Sequence, residues 1–408
     1  VKNKIAIVAD NIVALVALRG GIACTLIIMA NMFNVQQMGK ISAIYTTVTA
    51  IAQIIGYPLA TLAYDLANTN KRDMTFINVA ALTCLICWLS VACLIIFLAV
   101  ITVGSFRVAF FHSLASPALY LTGAFWLCAV ALEIMCHSLA MVTGRIRLMA
   151  QLSVLQAVLM AGGTFAAISM YGHRGVVATV IASFFSSAML LLAMQPWRAL
   201  GFIRRIVRSL IGKMRGVLGP STMAALFLSG LNIILVGKVT GSENSTLNLT
   251  RFAISMQILS ICSFIPQILF GITMSKMPTL NQDEKLPYLY KGYFFSLCVC
   301  IIISLLVFAN KVEIFSIYGQ SFKYYYCETI LLSLILVVQA PLQILSQRFT
   351  IEQRQWKLTI ICLVSSVAGY LFFLVYGVLS SSAMLAALLV ASAVRLLLAG
   401  AGGRRSSL

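Results

Sequence analysis

Apolar stretches of about 20 residues recur along the whole chain, separated by short polar turns. That is the length an α-helix needs to cross a hydrocarbon core about 30 Å thick. Apolar windows and their breakers predict spans near 5–32, 41–64, 76–100, 117–142, 150–171 and 175–194, then 217–236, 252–275, 292–309, 327–347, 358–379 and 383–400. The pattern therefore predicts an all-α polytopic membrane protein of about 12 transmembrane helices in two six-helix halves. An N-terminal lobe over 1–195 and a C-terminal lobe over 217–400 flank a connector at 196–216, and 401–408 form a tail.

Composition agrees. Of 408 residues, 61% are apolar and 10% charged, whereas soluble proteins carry roughly 45–50% and about 25%. So few charges exclude a soluble enzyme, a secreted disulfide scaffold and a disordered chain. The net charge of +19 first suggests nucleic acid. The distribution of the basic residues argues otherwise: 20 fall in one alternate set of loops and 7 in the other, with Arg19 and Arg395 inside spans. Such a bias keeps Lys and Arg on the cytoplasmic side and places both termini there. Nucleic acid is thereby set aside as a partner. The cysteines, Cys24, Cys128 and Cys262 among them, lie almost all inside apolar runs and behave as small hydrophobes. Cys84-x-x-Cys87 has no partner pair, so no metal site is expected. The first apolar stretch is too long for a cleaved signal and is expected to stay.

The connector WRALGFIRRIVRSLIGKMR, Trp197 to Arg215, sets Leu200, Ile203, Val207, Leu210 and Met214 near helical spacing among basic residues. It is expected to lie on anionic headgroups, with membrane lipids as partners; a basic helix that binds a partner is the alternative. No external loop exceeds about 17 residues, and no phosphate-cradling Gly-x-x-x-x-Gly-Lys-Ser/Thr loop occurs. The chain is therefore not expected to be an enzyme, and neither catalytic residues nor cofactors are assigned. Asn244-Ser-Thr and Asn248-Leu-Thr have the glycosylation spacing but are read as a polar turn.

An ionisable group at membrane depth is costly and marks a functional candidate. Arg19 lies about midway along the first span, too deep to reach either surface. Its forked donors match a phosphate; a structural ion pair is the alternative. Asp10 and Asn11 lie nearer the start of the same span, with Asp10 on the face opposite Arg19. Glu133 and His137 are four residues apart and share a face. They form the best candidate for ion or proton coupling, with Asp10 as a weaker member, and a pair stapling two helices is the alternative. Gln53, Asn232, Gln257, Gln267, Gln339 and Gln343 are neutral positions able to bind hydroxyl groups or to join helices. Gln339 and Gln343 straddle Pro341, and Pro266 precedes Gln267; both prolines are expected to free carbonyls that line a cavity. Arg395 is close enough to the end of the last span to snorkel outward.

Several segments carry a family likeness. Phe252–Leu280 reads FAISMQILSICSFIPQILFGITMSKMPTL, with Gln257 near its start and Met277-Pro278-Thr279 at its end. Phe315-Ser-Ile-Tyr-Gly-Gln-Ser-Phe322 is a Tyr-Gly-x-x-Phe turn, Leu231-Asn232-Ile233 an Asn-bearing span, and Gly144-Arg145-Ile146 a Gly-Arg step. Together with twelve spans these resemble the Wzx-type O-antigen flippases of the MOP exporter superfamily, which includes the MATE transporters. The resemblance implies a carrier that moves an undecaprenyl diphosphate-linked oligosaccharide across the bacterial inner membrane for O-antigen, lipopolysaccharide or capsule synthesis. Other polysaccharide-assembly membrane proteins are implied partners. It also implies that Arg19 receives the diphosphate, with Asn11, Gln53, Asn232, Gln257, Gln267, Gln339 and Gln343 contributing to substrate binding. The relatives often carry a further Arg on the eighth span, where this chain has Gln257 and, at the outer end, Arg251. A cation-coupled multidrug exporter of the same fold is the alternative. A membrane glycan polymerase or ligase is a third, for which a large external loop is lacking.

Overall fold

The computed structural model of the protein describes residues 2–69, 126–134, 136, 146–176, 211–239, 245–263, 282–319, 326–352 and 354–401, with single positions 181, 185, 189, 208, 266, 269, 273 and 280. The described residues are helical, with no strand among them. The helices are α1 (Lys2–Met32), α2 (Val35–Thr69), α3 (126–134), α4 (Ile146–Tyr171), α5 (Gly219–Val239), α6 (Ser245–Cys262), α7 (Gln282–Ala309), α8 (Lys311–Ser316), α9 (Tyr326–Ile351), α10 (Gln355–Tyr376) and α11 (Ser381–Ala401). Six stretches among the described residues are long and apolar enough to cross a membrane. Their outward faces carry large apolar side chains, such as Phe294, Phe295, Ile302, Leu305 and Leu306 of α7. A contiguous surface of that kind needs lipid to cover it.

The helices overrun the apolar windows that predict them. At about 1.5 Å per residue, the 31 residues of α1 and 35 of α2 reach about 46 and 52 Å. Hydropathy sees only the portion inside the hydrocarbon; the polar ends continue the same hydrogen-bond ladder. At the start of α2, Asn34 and Gln37 form a reciprocal capping box: the Gln37 amide donates to Asn34 Oδ1 at 2.8 Å, and the Asn34 amide to Gln37 Oε1 at 3.3 Å. That pair starts the helix six residues before the window at 41. Pro341 does not end a helix, since α9 runs through it, and Pro58 lies inside α2. Gly377 stops α10 with φ 67°, a left-handed cap that costs glycine nothing, and the Ser380 hydroxyl accepts from the Ala383 amide at 3.2 Å to start α11.

The chain divides into two compact units. The first comprises Val1–Ile28 and Ile44–Gly241; the second comprises Met29–Ala43 and Ser242–Leu408. In the first unit, small residues let helix backbones approach closely, a common device between membrane helices. Gly21 of α1 lies on Ala157 of α4, and Gly56 of α2 on Ile134 of α3. The rings of Tyr45 and Trp126 join α2 to α3 with centroids 5.2 Å apart.

In the second unit α9 packs on α7 and α11, and α10 on α11. Ser304 of α7 donates to the Ser333 carbonyl of α9 at 2.9 Å, and Ser333 back to the Ser304 carbonyl at 3.4 Å. Ser381 donates to the buried Glu328 carboxylate at 2.6 Å, which lies in the favourable first turn of α9. The Asn248 amide donates to the Leu379 carbonyl at 3.0 Å, so this sequon asparagine serves as a helix-to-loop tie. The tip of the α1–α2 hairpin belongs here as well. Asn31 donates to the Ile317 carbonyl at 3.0 Å, and a Cβ on Gly39 would fall 2.5 Å from the Thr246 carbonyl oxygen.

Candidate functional site

Polar side chains of the first unit gather at one depth, and the close helix contacts define that depth. Gln156 of α4 is buried and donates from Nε2 to Glu133 Oε2 of α3 at 3.0 Å. Gln156 adjoins Ala157, on which Gly21 of α1 rests. Arg19 is two residues earlier on α1, about 3 Å along the axis at about 1.5 Å per residue. Glu133 in turn adjoins Ile134, which packs on Gly56 of α2. One turn away on α2, Gln53 accepts from the Ser229 hydroxyl of α5 at 3.2 Å. Asn232 follows Ser229 by three residues and so shares its face. Its Oδ1 is buried without a hydrogen-bond partner among the described residues.

Five helices thus bring the positions of Arg19, Gln53, Glu133, Gln156, Ser229 and Asn232 to a common level, near the middle of α1, α2, α4 and α5. The arrangement offers hydrogen-bond donors and acceptors together with one acidic and one basic position. Leaving a buried amide oxygen unbonded costs about 1–3 kcal/mol. A feature of that kind suits a place that receives a polar group from outside the protein.

The remaining expected residues are distributed as follows. Asp10 is half-buried on α1, nine residues before Arg19. The side chains of Arg19 and Asn11, and the whole of His137 and Gln267, lie outside the described residues, as does Cys84-x-x-Cys87. In the second unit Gln257 is buried on α6, Gln339 is half-buried on α9 and Gln343 is exposed. These three occupy different environments and do not form a belt comparable to that of the first unit. Arg395 is half-buried on α11.

Gln156 and Ser229 are the members that sequence reading misses. A single Gln or Ser in an apolar run carries no periodic signal, and only the neighbouring helix reveals its partner. A second missed cluster lies beyond the last turn of the span in α9. Arg348, counted in the sequence as a loop charge, is buried; its Nε donates to Glu352 at 2.5 Å and a terminal nitrogen to Tyr290 Oη at 3.1 Å. Burial pulls the Arg348 guanidinium down, but Glu352 and Tyr290 outweigh it and hold it above its ordinary value. Glu352 also faces the exposed Arg354 at 3.7 Å.

The all-α membrane architecture is similar to that of solved transporters of the MOP superfamily. The chain is similar over 98% of its length to the outward-facing conformation of a multidrug resistance MATE family transporter of that superfamily, with TM-score 0.70, 14% identity and 95% of that chain covered. The inward-facing conformation of such a transporter matches with TM-score 0.63 at 13% identity, over 96% of this chain and 97% of that one. A MOP superfamily transporter from Pyrococcus furiosus, described as having a binding pocket of reversed polarity that suggests a different function, matches with TM-score 0.70 at 14% identity, over 98% and 94%. No family model matches the sequence, and no curated protein matches it. At such identities the likeness carries architecture, and function has to be argued from the site.

Proposed function

We propose that the chain is an alternating-access transporter that moves a polyprenyl diphosphate-linked oligosaccharide across the bacterial inner membrane. The observation that carries this reading is the position of Arg19 in the mid-depth polar belt. A guanidinium at that level supplies a permanent charge and forked donors for a diphosphate. Gln53, Gln156, Ser229 and Asn232 supply the neutral hydrogen bonds that sugar hydroxyls use. MATE family transporters similar to this chain are known in outward-facing and in inward-facing conformations, and that pair of states is what alternating access requires. Glu133, with His137 four residues further along the sequence, is assigned to ion or proton coupling, and Asp10 is its weaker companion. The bias of basic residues toward one set of loops supports cytoplasmic termini.

The second reading, a cation-coupled multidrug exporter, is favoured by the Glu133 carboxylate, which a cationic cargo would seek. One set of strains separates the two. In a flippase-null strain the wild-type gene restores surface glycan, Arg19→Ala does not, and Arg19→Lys restores it partly. Surface glycan that survives Arg19→Ala, together with dye efflux that disappears in Glu133→Gln, selects the exporter.

A further inference from the structure

α2 and α5 are joined at two points. Near the middle, Ser229 donates to Gln53 at 3.2 Å. At the connector end, Lys213 Nζ lies 2.6 Å from Asp65 Oδ2. The two joints are twelve residues apart on α2 and sixteen on the chain leading into α5, about 18 and 24 Å at about 1.5 Å per residue. The longer path contains a π-helical turn, Met214–Leu218, with Gly216 inside it and Gly219-Pro220 immediately after. A π turn is wider and rises less per residue than an α turn, so it takes up part of the mismatch. Such turns in membrane helices are frequent sites of bending. A Cβ on Gly216 would meet nothing within 4 Å among the described residues, whereas Leu218 at the far end of the turn is fully buried. The turn is thus packed at its inner end and open at its connector end, where the ion pair with Asp65 lies.

The ion pair is itself within reach of the surface. The side chains of Lys213 and Asp65 are 28% and 23% exposed. Arg208 and Arg215 are exposed on either side, and Ile211 between them is 67% exposed. A basic stretch with a protruding aliphatic residue at the end of a membrane helix is complementary to an anionic lipid surface. An ion pair this open shifts an equilibrium by only about two- to five-fold, so a headgroup field is strong enough to compete for the lysine.

We propose that Asp65–Lys213 is a releasable latch on a π-hinge at the start of the seventh span, and that anionic phospholipid headgroups release it by taking Lys213. The latch is independent of the cargo and of the sidedness assigned above. It is tested by hydrogen–deuterium exchange of the full chain in nanodiscs of zwitterionic lipid, with and without anionic phosphatidylglycerol. In the wild type, anionic lipid raises exchange over 214–218 about two- to five-fold, the range expected of an ion pair of this exposure. Asp65→Asn gives the faster exchange in zwitterionic lipid and no longer responds to anionic lipid. Lys213→Gln, which breaks the pair from the other side, gives the same fast exchange, and the charge exchange Asp65→Lys with Lys213→Asp restores protection in zwitterionic lipid. Equal exchange of the wild type in the two lipids overturns the proposal. So does a change in Asp65→Asn that spreads evenly through Gly219–Val239 and is not confined to the hinge.

Discussion

Two adjacent glycines on α1 are expected to respond in opposite directions to the same substitution. A Cβ on Gly21 would lie 2.6 Å from Ala157 Cα and 2.8 Å from Ala157 Cβ, whereas one on Gly20 would meet nothing within 4 Å among the described residues. Carbon atoms rest at about 3.5–4.0 Å, so Gly21→Ala forces α1 and α4 apart by about 1 Å. Overpacking of that size costs about 1–3 kcal/mol. Gly20→Ala meets no obstacle and gains about 0.5–1 kcal/mol from the reduced freedom of the backbone. The two variants should therefore differ by about 1.5–4 kcal/mol, the sum of those two effects. Reversible unfolding in mixed detergent micelles, followed by helical circular dichroism, reads the difference directly. Ala157→Gly should rescue Gly21→Ala only in part, since it removes the clashing Cβ but leaves the Cα at 2.6 Å. Because Gly21 also sets Arg19 at the level of Glu133 and Gln156, transport should fall in Gly21→Ala and persist in Gly20→Ala. Equal effects of the two substitutions on stability would refute the packing that defines the belt.

Arg348→Ala removes the bonds to Glu352 and Tyr290 and leaves the largely buried Glu352 carboxylate with only the exposed Arg354 at 3.7 Å, a loss of about 1–3 kcal/mol. Arg348→Lys should recover only part of it, because one ammonium cannot serve both partners in the guanidinium geometry; full recovery in the same unfolding assay would contradict the arrangement. Gly377→Ala places a side chain at φ 67° and should cost about 1–2 kcal/mol, with Gly377→Asn costing less because Asn tolerates that conformation. An Ala variant as stable as the wild type would argue against a left-handed cap there.

The helices were legible because hydrocarbon thickness imposes a length on apolar runs, and that length survives at the level of single residues. Their ends were not, for a physical reason. Once a helix leaves the hydrocarbon its continuation depends on capping, as with Asn34 and Gln37, and hydropathy is blind to it. Charge at depth pointed to Arg19 and Glu133, since the cost of burying an ion singles such residues out. The neutral residues divided differently. Gln53 and Gln343 are both exposed and Gln156 is buried, and it is the facing helix that gives Gln53 a serine hydroxyl and Gln156 a carboxylate. No pattern within one helix distinguishes them.

The charges at the level of the belt also bear on how cargo and coupling would be joined. Arg19 and Glu133 stand on different helices, yet the contacts through Gly21, Ala157 and Gln156 bring their positions to one depth. An anionic headgroup arriving at Arg19 meets repulsion from an ionised Glu133, so under the proposed reading cargo binding and proton uptake at that carboxyl favour one another. Linkage makes the dependence mutual: whatever protonates Glu133 strengthens the hold on the diphosphate, and its deprotonation helps to release it. A cationic cargo reverses the sign, since it binds the ionised carboxylate and expels a proton. Both readings of the fold thus use the same two residues. What distinguishes them is whether a bound cargo carries a proton with it or displaces one, and that is fixed by the sign of the charge that Gln156, Gln53 and their neighbours surround.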